Sequence, residues 1–168
     1  MATVVFTTGD DVSTDVIYPG RYMATVLPTE TPQYAFADNA EFNARLTAKQ
    51  VPPGSIVVAG KNFGCGSSRE QAVSTLKGYD LTIIAESFAR IFLQNSINLG
   101  LKLVVAPGMR ASEGDHIDLF PDRVVNATTG AAYAAVRLPE ARQAIIDAGG
   151  LIPYSRALLL QRRAEDKR

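Results

Sequence analysis

Apolar and polar positions along the chain follow two regimes. Up to about residue 106, short unbroken runs rich in β-branched residues alternate with segments of helical spacing. The runs at 3–7, 55–59, 81–85 and 101–106 read as strands, the last three as buried ones, because an uninterrupted apolar run bounded by turn residues is covered on both faces. Apolar residues at 34, 35, 36, 42 and 46 predict a helix ending near Thr47, and Val51-Pro52-Pro53-Gly54 a turn. Ala72, Val73 and Leu76 predict a helix to about Leu76 with Gly78 as its C′ residue. Phe88, Ile91, Phe92 and Ile97 share one face of a helix from 88 to 99 that Ser87 caps and Gly100 ends. The segment 21–33, with Pro28 and Pro32 and little periodicity, is a loop. Strand, helix, strand, helix, strand in this order implies right-handed crossovers and a mostly parallel sheet.

After Pro107-Gly108 the pattern changes. Residues 116–120 alternate polar and apolar, as a half-exposed strand does, and 123–126 and 132–136 are short β-type runs around a Thr128-Thr129-Gly130 turn. These predict a small antiparallel layer added to the α/β core. Pro139 opens a helix to Ala148, Gly149-Gly150 breaks it, and 151–163 form a last helix with a basic end. The tail 164–168 is expected to fray. The whole chain, 1–168, reads as one α/β domain.

The candidate chemistry sits at Gly60-Lys61-Asn62-Phe63-Gly64-Cys65-Gly66-Ser67-Ser68-Arg69-Glu70-Gln71-Ala72, between a strand and a helix. Its glycines admit positive φ and close approach of a ligand. Ser67 and Glu70 have capping-box spacing, which places Ser67, Ser68 and Arg69 at a helix N-terminus, where free amides and the helix dipole favour an anion. Arg69 adds a donor fork that matches a carboxylate. The stretch is neither a P-loop nor Gly-x-Gly-x-x-Gly. The plainer alternative is an ordinary strand-to-helix turn with a serine cap and a solvated arginine. Ser13, Thr14 and Asp15 form a second polar cluster, whose plainer reading is a turn with local side-chain-to-backbone bonds.

Composition narrows the function. The 168 residues are 46% apolar, which suits a globular chain, and Lys+Arg and Asp+Glu are 17 each, without the basic excess of a nucleic-acid binder. One Cys permits no internal disulfide and falls short of an iron–sulfur ligand set, and one His adds too little for a metal site. No apolar run approaches the ~20 residues that span a bilayer, and residues 1–7 lack the charged start and long apolar core of a secretory signal. A cytoplasmic protein is the expectation.

The string Asn62-Phe63-Gly64-Cys65-Gly66-Ser67-Ser68-Arg69-Glu70 resembles the swivelling domain of the aconitase superfamily, above all the stand-alone small subunits of isopropylmalate dehydratases and their homoaconitase-type relatives. Thr14-Asp15 with Pro19-Gly20-Arg21-Tyr22, then Ser87-Phe88-Ala89-Arg90-Ile91-Phe92 with Asn95 and Asn98-Leu99-Gly100-Leu101, then Ala148-Gly149-Gly150-Leu151-Ile152-Pro153-Tyr154, extend the likeness in order along the chain. The resemblance implies a swivelling β/β/α domain and a hydro-lyase that isomerises a 2-hydroxy diacid, as in leucine biosynthesis. It implies Ser67 as the base, Ser68, Arg69 and Thr14 as substrate contacts, and Asp15 near the active site, orienting a catalytic group of the partner. It implies a large subunit holding a [4Fe–4S] cluster, with no cofactor or metal on this chain and no activity without that partner. Self-association of the isolated chain stays open.

By the same resemblance, Tyr22, Met23, Ala24 and Thr25 belong to a loop that reads the substrate's side group. No cation lies between Tyr22 and Leu27, which favours an alkyl group over a second carboxylate there. Homoaconitase-type and dimethylmalate-type small subunits are the alternatives among enzymes, and a non-catalytic anion-binding module is the alternative outside them. Cys65 is expected to serve packing or backbone fit and His116 to be a surface or satisfied residue. Gln71 stands where many small subunits have His.

Overall fold

The four runs expected to be parallel strands lie side by side. In the computed structural model, which describes residues 1–165, β1 (Ala2–Thr7), β2 (Ile56–Ala59), β3 (Thr82–Ala85) and β4 (Lys102–Val105) are parallel neighbours. Every residue of β2 and β3 is buried, which is why no polar residue alternates through them. The crossovers run through α2 (Ala40–Thr47), α3 (Glu70–Gly78) and α4 (Arg90–Leu99). One face of the sheet packs Val57 and Ile83 against Phe63, Val73, Leu76 and Phe92.

The antiparallel strands β5 (His116–Leu119), β6 (Arg123–Asn126) and β7 (Ala132–Ala134) are added to that parallel core through its edge. β5 pairs with the open edge of β1, so one seven-stranded sheet runs β4-β3-β2-β1-β5-β6-β7. The sheet curls until the Val136 N–H donates to the Val105 carbonyl at 2.8 Å and joins its two ends. Val4, Ile56, Val58, Ile84, Met109, Ile117 and Val124 fill the inside of the curl.

Several local expectations are corrected. The apolar triplet at 34–36 is core but not helix: Thr31–Tyr34 is a 3₁₀ turn, Phe36 has φ +49°, and α2 starts only at Ala40, where the Asn39 side chain accepts the Phe42 N–H at 3.0 Å. Gly78 is the last residue of α3 rather than a left-handed C′ residue, and Asp80 takes positive φ instead. Gly78 is needed because a Cβ there would lie 2.3 Å from Pro32 Cγ. Ser87 caps nothing. Its hydroxyl accepts the Asn62 N–H at 2.9 Å, and α4 begins at Arg90 behind Ala89, with Phe92 and Ile97 buried but Ile91 exposed. Gly100 does end α4, at φ +74°.

Pro139 precedes α5 (Glu140–Asp147) as its N-cap. The last helix, α6 (Leu151–Glu165), runs two residues past its expected end, so Ala164 and Glu165 are helical where fraying was expected, and residues 166–168 lie outside the described ones. The Lys77 ammonium donates to the Leu99 and Gly149 carbonyls, fastening the C-termini of α4 and α5 together.

Candidate active site

Three loops leave the C-terminal ends of β1, β2 and β3, the end of a parallel sheet where ligands bind. They continue side by side as a ribbon. Gly60 N–H donates to Gly9 O (3.1 Å), Asp11 N–H to Lys61 O (2.9 Å), Gly64 N–H to Val12 O (2.7 Å) and Thr14 N–H to Cys65 O (2.8 Å). On the other side, Phe63 N–H donates to Ser87 O and Ala89 N–H to Phe63 O. The glycine-rich motif is the middle strand of this ribbon. Phe63, fully buried, anchors it between Phe88 and Phe92. Asn62 and Asp11, both at positive φ, join through Asn62 Nδ2 to Asp11 Oδ1 at 2.7 Å.

The ribbon delivers the two polar clusters to one place. Ser13 caps the four-residue α1 (Thr14–Ile17), accepting the Val16 N–H at 3.3 Å. Thr14 is buried and its hydroxyl donates to the Ser67 carbonyl at 3.0 Å. With that proton committed, Thr14 Oγ1 acts as acceptor for the Ser67 hydroxyl, 3.4 Å away. Asp15 is ion-paired with Arg69 of this same chain. The Arg69 Nη1 also donates to the Tyr18 carbonyl at 3.3 Å. The Arg69 side chain is 16% exposed, against 56% for Asp15.

Ser67 does not cap α3, and the capping box with Glu70 does not form. Arg69 occupies the N-cap position with no side-chain bond, its amide donating to the Ser67 carbonyl at 2.9 Å. The amides of Gly66, Ser67 and Ser68 donate to no acceptor among the described residues, so this turn keeps the unpaired N–H groups that favour an anion. Ser67 and Ser68 are exposed, and the Ser68 hydroxyl bonds to no described residue.

The segment expected to read a side group starts as a 3₁₀ turn, Gly20–Tyr22, against Arg69 and continues as a turn in which the Thr25 N–H donates to the Tyr22 carbonyl at 2.9 Å. Met23 and Ala24 are exposed at its tip, followed by exposed Val26 and Leu27. Tyr22 stacks on Tyr34 at 4.1 Å. Arg21 lies over the Tyr22 ring and grips Asp38 with both nitrogens, at 2.5 and 3.2 Å. That hydrogen bonding holds the Asp38 carboxyl below its ordinary range.

One contributor escaped the sequence reading. Tyr18, whose phenol burial pushes up, keeps its proton and donates into the turn. Its only signal was its place between the two polar clusters. Cys65 is half-buried, its thiol directed at the Asp11 carbonyl at 3.3 Å, in keeping with backbone fit. His116 is exposed beside Thr3, at the opposite end of β1 from the site. Gln71 is half-buried in the first turn of α3. Among the described residues no three His, Cys, Asp or Glu side chains group as a metal site, and no helix is long and apolar enough to cross a membrane.

Residues 12–106 fit the aconitase C-terminal domain model, and the chain belongs to that family. Within it, the chain falls among the small subunits of isopropylmalate dehydratases and isomerases. It is 45% identical over 159 residues to the 3-isopropylmalate dehydratase small subunit of Methanosarcina acetivorans, covering 92% of this chain and 95% of that one. It is 44% identical over 152 residues to the isopropylmalate/citramalate isomerase small subunit of Methanocaldococcus jannaschii, covering 87% and 88%. The crystal structure of 3-isopropylmalate dehydratase from Methanocaldococcus jannaschii superposes with a TM-score of 0.86 at 36% identity, over 97% of each chain.

Proposed function

We propose that this chain is the small half of a hydro-lyase that interconverts 3-isopropylmalate and 2-isopropylmalate through 2-isopropylmaleate, a step of leucine biosynthesis. The observation that carries the reading is the meeting of Ser67, held by Thr14, with Arg69, held by Asp15, beside three unpaired amides. Arg69 binds a substrate carboxylate through its donor fork, and Asp15 and the Tyr18 carbonyl fix the plane of that fork. Ser67 first gives its hydroxyl proton to solvent water and then, as the alkoxide, takes the proton from the carbon next to the carboxylate. The C–H electron pair becomes the double bond as hydroxide leaves the neighbouring carbon. A serine is a poor base in water, and the Gly66–Ser68 amides and Arg69 supply the fixed positive field that stabilises its alkoxide. Thr14, accepting from the Ser67 hydroxyl in the resting state, sets its rotamer.

One cysteine does not fit an iron–sulfur cluster, so we place the [4Fe–4S] group on a large subunit, where it supplies a Lewis acid for the leaving hydroxyl. This chain is then inactive alone and closes over the substrate from the other side. The side group meets Met23, Ala24 and the apolar residues that follow. Arg21, the nearest cation in sequence, is engaged by Asp38 and the Tyr22 ring and is not free to meet a further carboxylate. An alkyl-substituted substrate fits this surface.

Anaerobic reconstitution with the cluster-bearing large subunit tests the reading. Among unsaturated diacids, 2-isopropylmaleate is expected to turn over best, dimethylmaleate and citraconate more slowly, and cis-homoaconitate roughly a hundredfold more slowly because its extra carboxylate stays unpaired. A preference for cis-homoaconitate would keep the reaction class and overturn the reading of the loop. No turnover of any diacid, in a complex with intact cluster, would overturn the hydro-lyase assignment.

A further inference from the structure

Tyr18 bonds both to the guanidinium of Arg69 and to the side-group turn. It ends α1, fully buried, its own N–H donating to the Thr14 carbonyl. Its carbonyl accepts from Arg69 Nη1 at 3.3 Å. Its hydroxyl reaches the other way, its one hydrogen shared between the carbonyls of Tyr22 at 3.1 Å and Thr25 at 3.2 Å. The turn from Tyr22 to Thr25 has a single bond of its own, Thr25 N–H to Tyr22 O, and the Thr25 carbonyl has no donor but Tyr18 among the described residues. A two-residue tip closed by one hydrogen bond samples several backbone conformations. A second anchor at both of its ends selects one.

The anchor itself is rigid. The Tyr18 ring stands edge-on to Tyr22 (6.5 Å between centroids, 67°) and to Tyr34 (6.1 Å, 80°), and those two rings stack on each other. The hydroxyl therefore sits where the packing of three rings puts it, and its removal leaves the rings in place.

We propose that Tyr18 is a positioning residue for substrate selection: its hydroxyl fixes the tip at Met23 and Ala24 relative to Arg69, so that the pocket for the side group keeps a set distance from the clamp on the common carboxylate. This rests on the reading of the loop given under the proposed function. The backbone carbonyl that steadies Arg69 survives in Tyr18→Phe. The variant thus loosens the side-group half of the pocket and leaves the carboxylate half alone.

The test compares wild-type and Y18F full-length chains in two measurements. In the reconstituted enzyme, kcat/KM for 2-isopropylmaleate relative to citraconate is expected to fall by about fivefold, the worth of one neutral hydrogen bond. The change falls in KM for the larger diacid, while kcat on both diacids stays within about twofold of wild type. In the full chain by itself, amide hydrogen exchange at Thr25 is expected to quicken by a similar factor, with β2 and β3 unchanged. Equal losses on both diacids would mean a merely structural role and overturn the proposal. Unchanged exchange at Thr25 would overturn the anchor. Faster exchange with an unchanged substrate ratio would break the link between anchor and selection. If the wild-type complex turns over no diacid, the functional reading has failed, and the exchange measurement still decides whether Tyr18 orders the turn.

Discussion

Ser67→Ala, assembled with the large subunit at matched cluster content, is expected to lower kcat by about a thousandfold while KM moves by less than about threefold. The base acts only as the C–H bond breaks, so its loss falls on the transition state and not on ground-state binding. Arg69, its partner Asp15 and the unpaired amides remain to bind the carboxylate. The Ser67 side chain is exposed, it caps no helix, and the bond from Thr14 to the Ser67 carbonyl persists in alanine. Folding is therefore unchanged, and circular dichroism and thermal unfolding should overlay the wild type. A variant that kept most of its turnover would remove Ser67 from the chemistry. A variant that lost KM and kcat together would make it a binding group.

The second large effect is on the fold that holds the site. Gly64→Ala is expected to cost about 3 kcal/mol, from overpacking and from positive φ together. Gly64 lies at φ +79° in the middle of the ribbon, and a Cβ there would lie 2.1 Å from Phe92 Cγ and 2.5 Å from Phe92 Cβ. Phe92 is 2% exposed and wedged against Phe63, so it has no space to retreat into. For a chain of this size the loss lowers the unfolding midpoint by about 10 °C. Gly66→Ala is the control two residues on. It shares the positive φ, at +91°, but its Cβ would meet Thr14 Oγ1 at 3.5 Å, an ordinary contact, so only the backbone strain of about 1 kcal/mol remains. Equal midpoints for the two variants would contradict the packing argument.

The contrast between these glycines shows what a sequence reader sees and misses. That the stretch is glycine-rich, follows a buried strand and precedes a helix was legible, because Ile56, Val57, Val58 and Ala59 are covered on both faces and their run is unbroken. Which glycine faces a phenylalanine was not legible, because Phe92 reaches Gly64 from the next crossover. The capping errors have the same origin. Ser67 stands three residues before Glu70 and has the right spacing for a box, yet its hydroxyl and carbonyl are engaged by Thr14, 53 residues earlier. Ser87 is drawn off by Asn62, 25 residues earlier.

Spacing rules weigh neighbours within one turn of helix, and both serines are decided by partners in a neighbouring loop. The antiparallel strands were legible one by one from their alternation. Their union with the parallel strands was not, because it depends on β5 choosing the free edge of β1, more than a hundred residues away in the chain. The family resemblance named Ser67, Arg69, Thr14 and Asp15 together, and the structure brings them within bonding reach of one another. The pairing of Asp15 with Arg69, and the place of Tyr18 between clamp and loop, needed the fold.

The central claim is that this chain carries half of a shared site, with the base and the carboxylate clamp on its side. The most direct measurement follows hydration of 2-isopropylmaleate by its ultraviolet absorbance, anaerobically, as this chain is titrated into the cluster-bearing large subunit. Predicted are silence from either subunit alone, a rate that rises with added chain to saturation, and no rise when Ser67→Ala is titrated in its place. Full turnover by the large subunit alone, or equal restoration by the alanine variant, would contradict it.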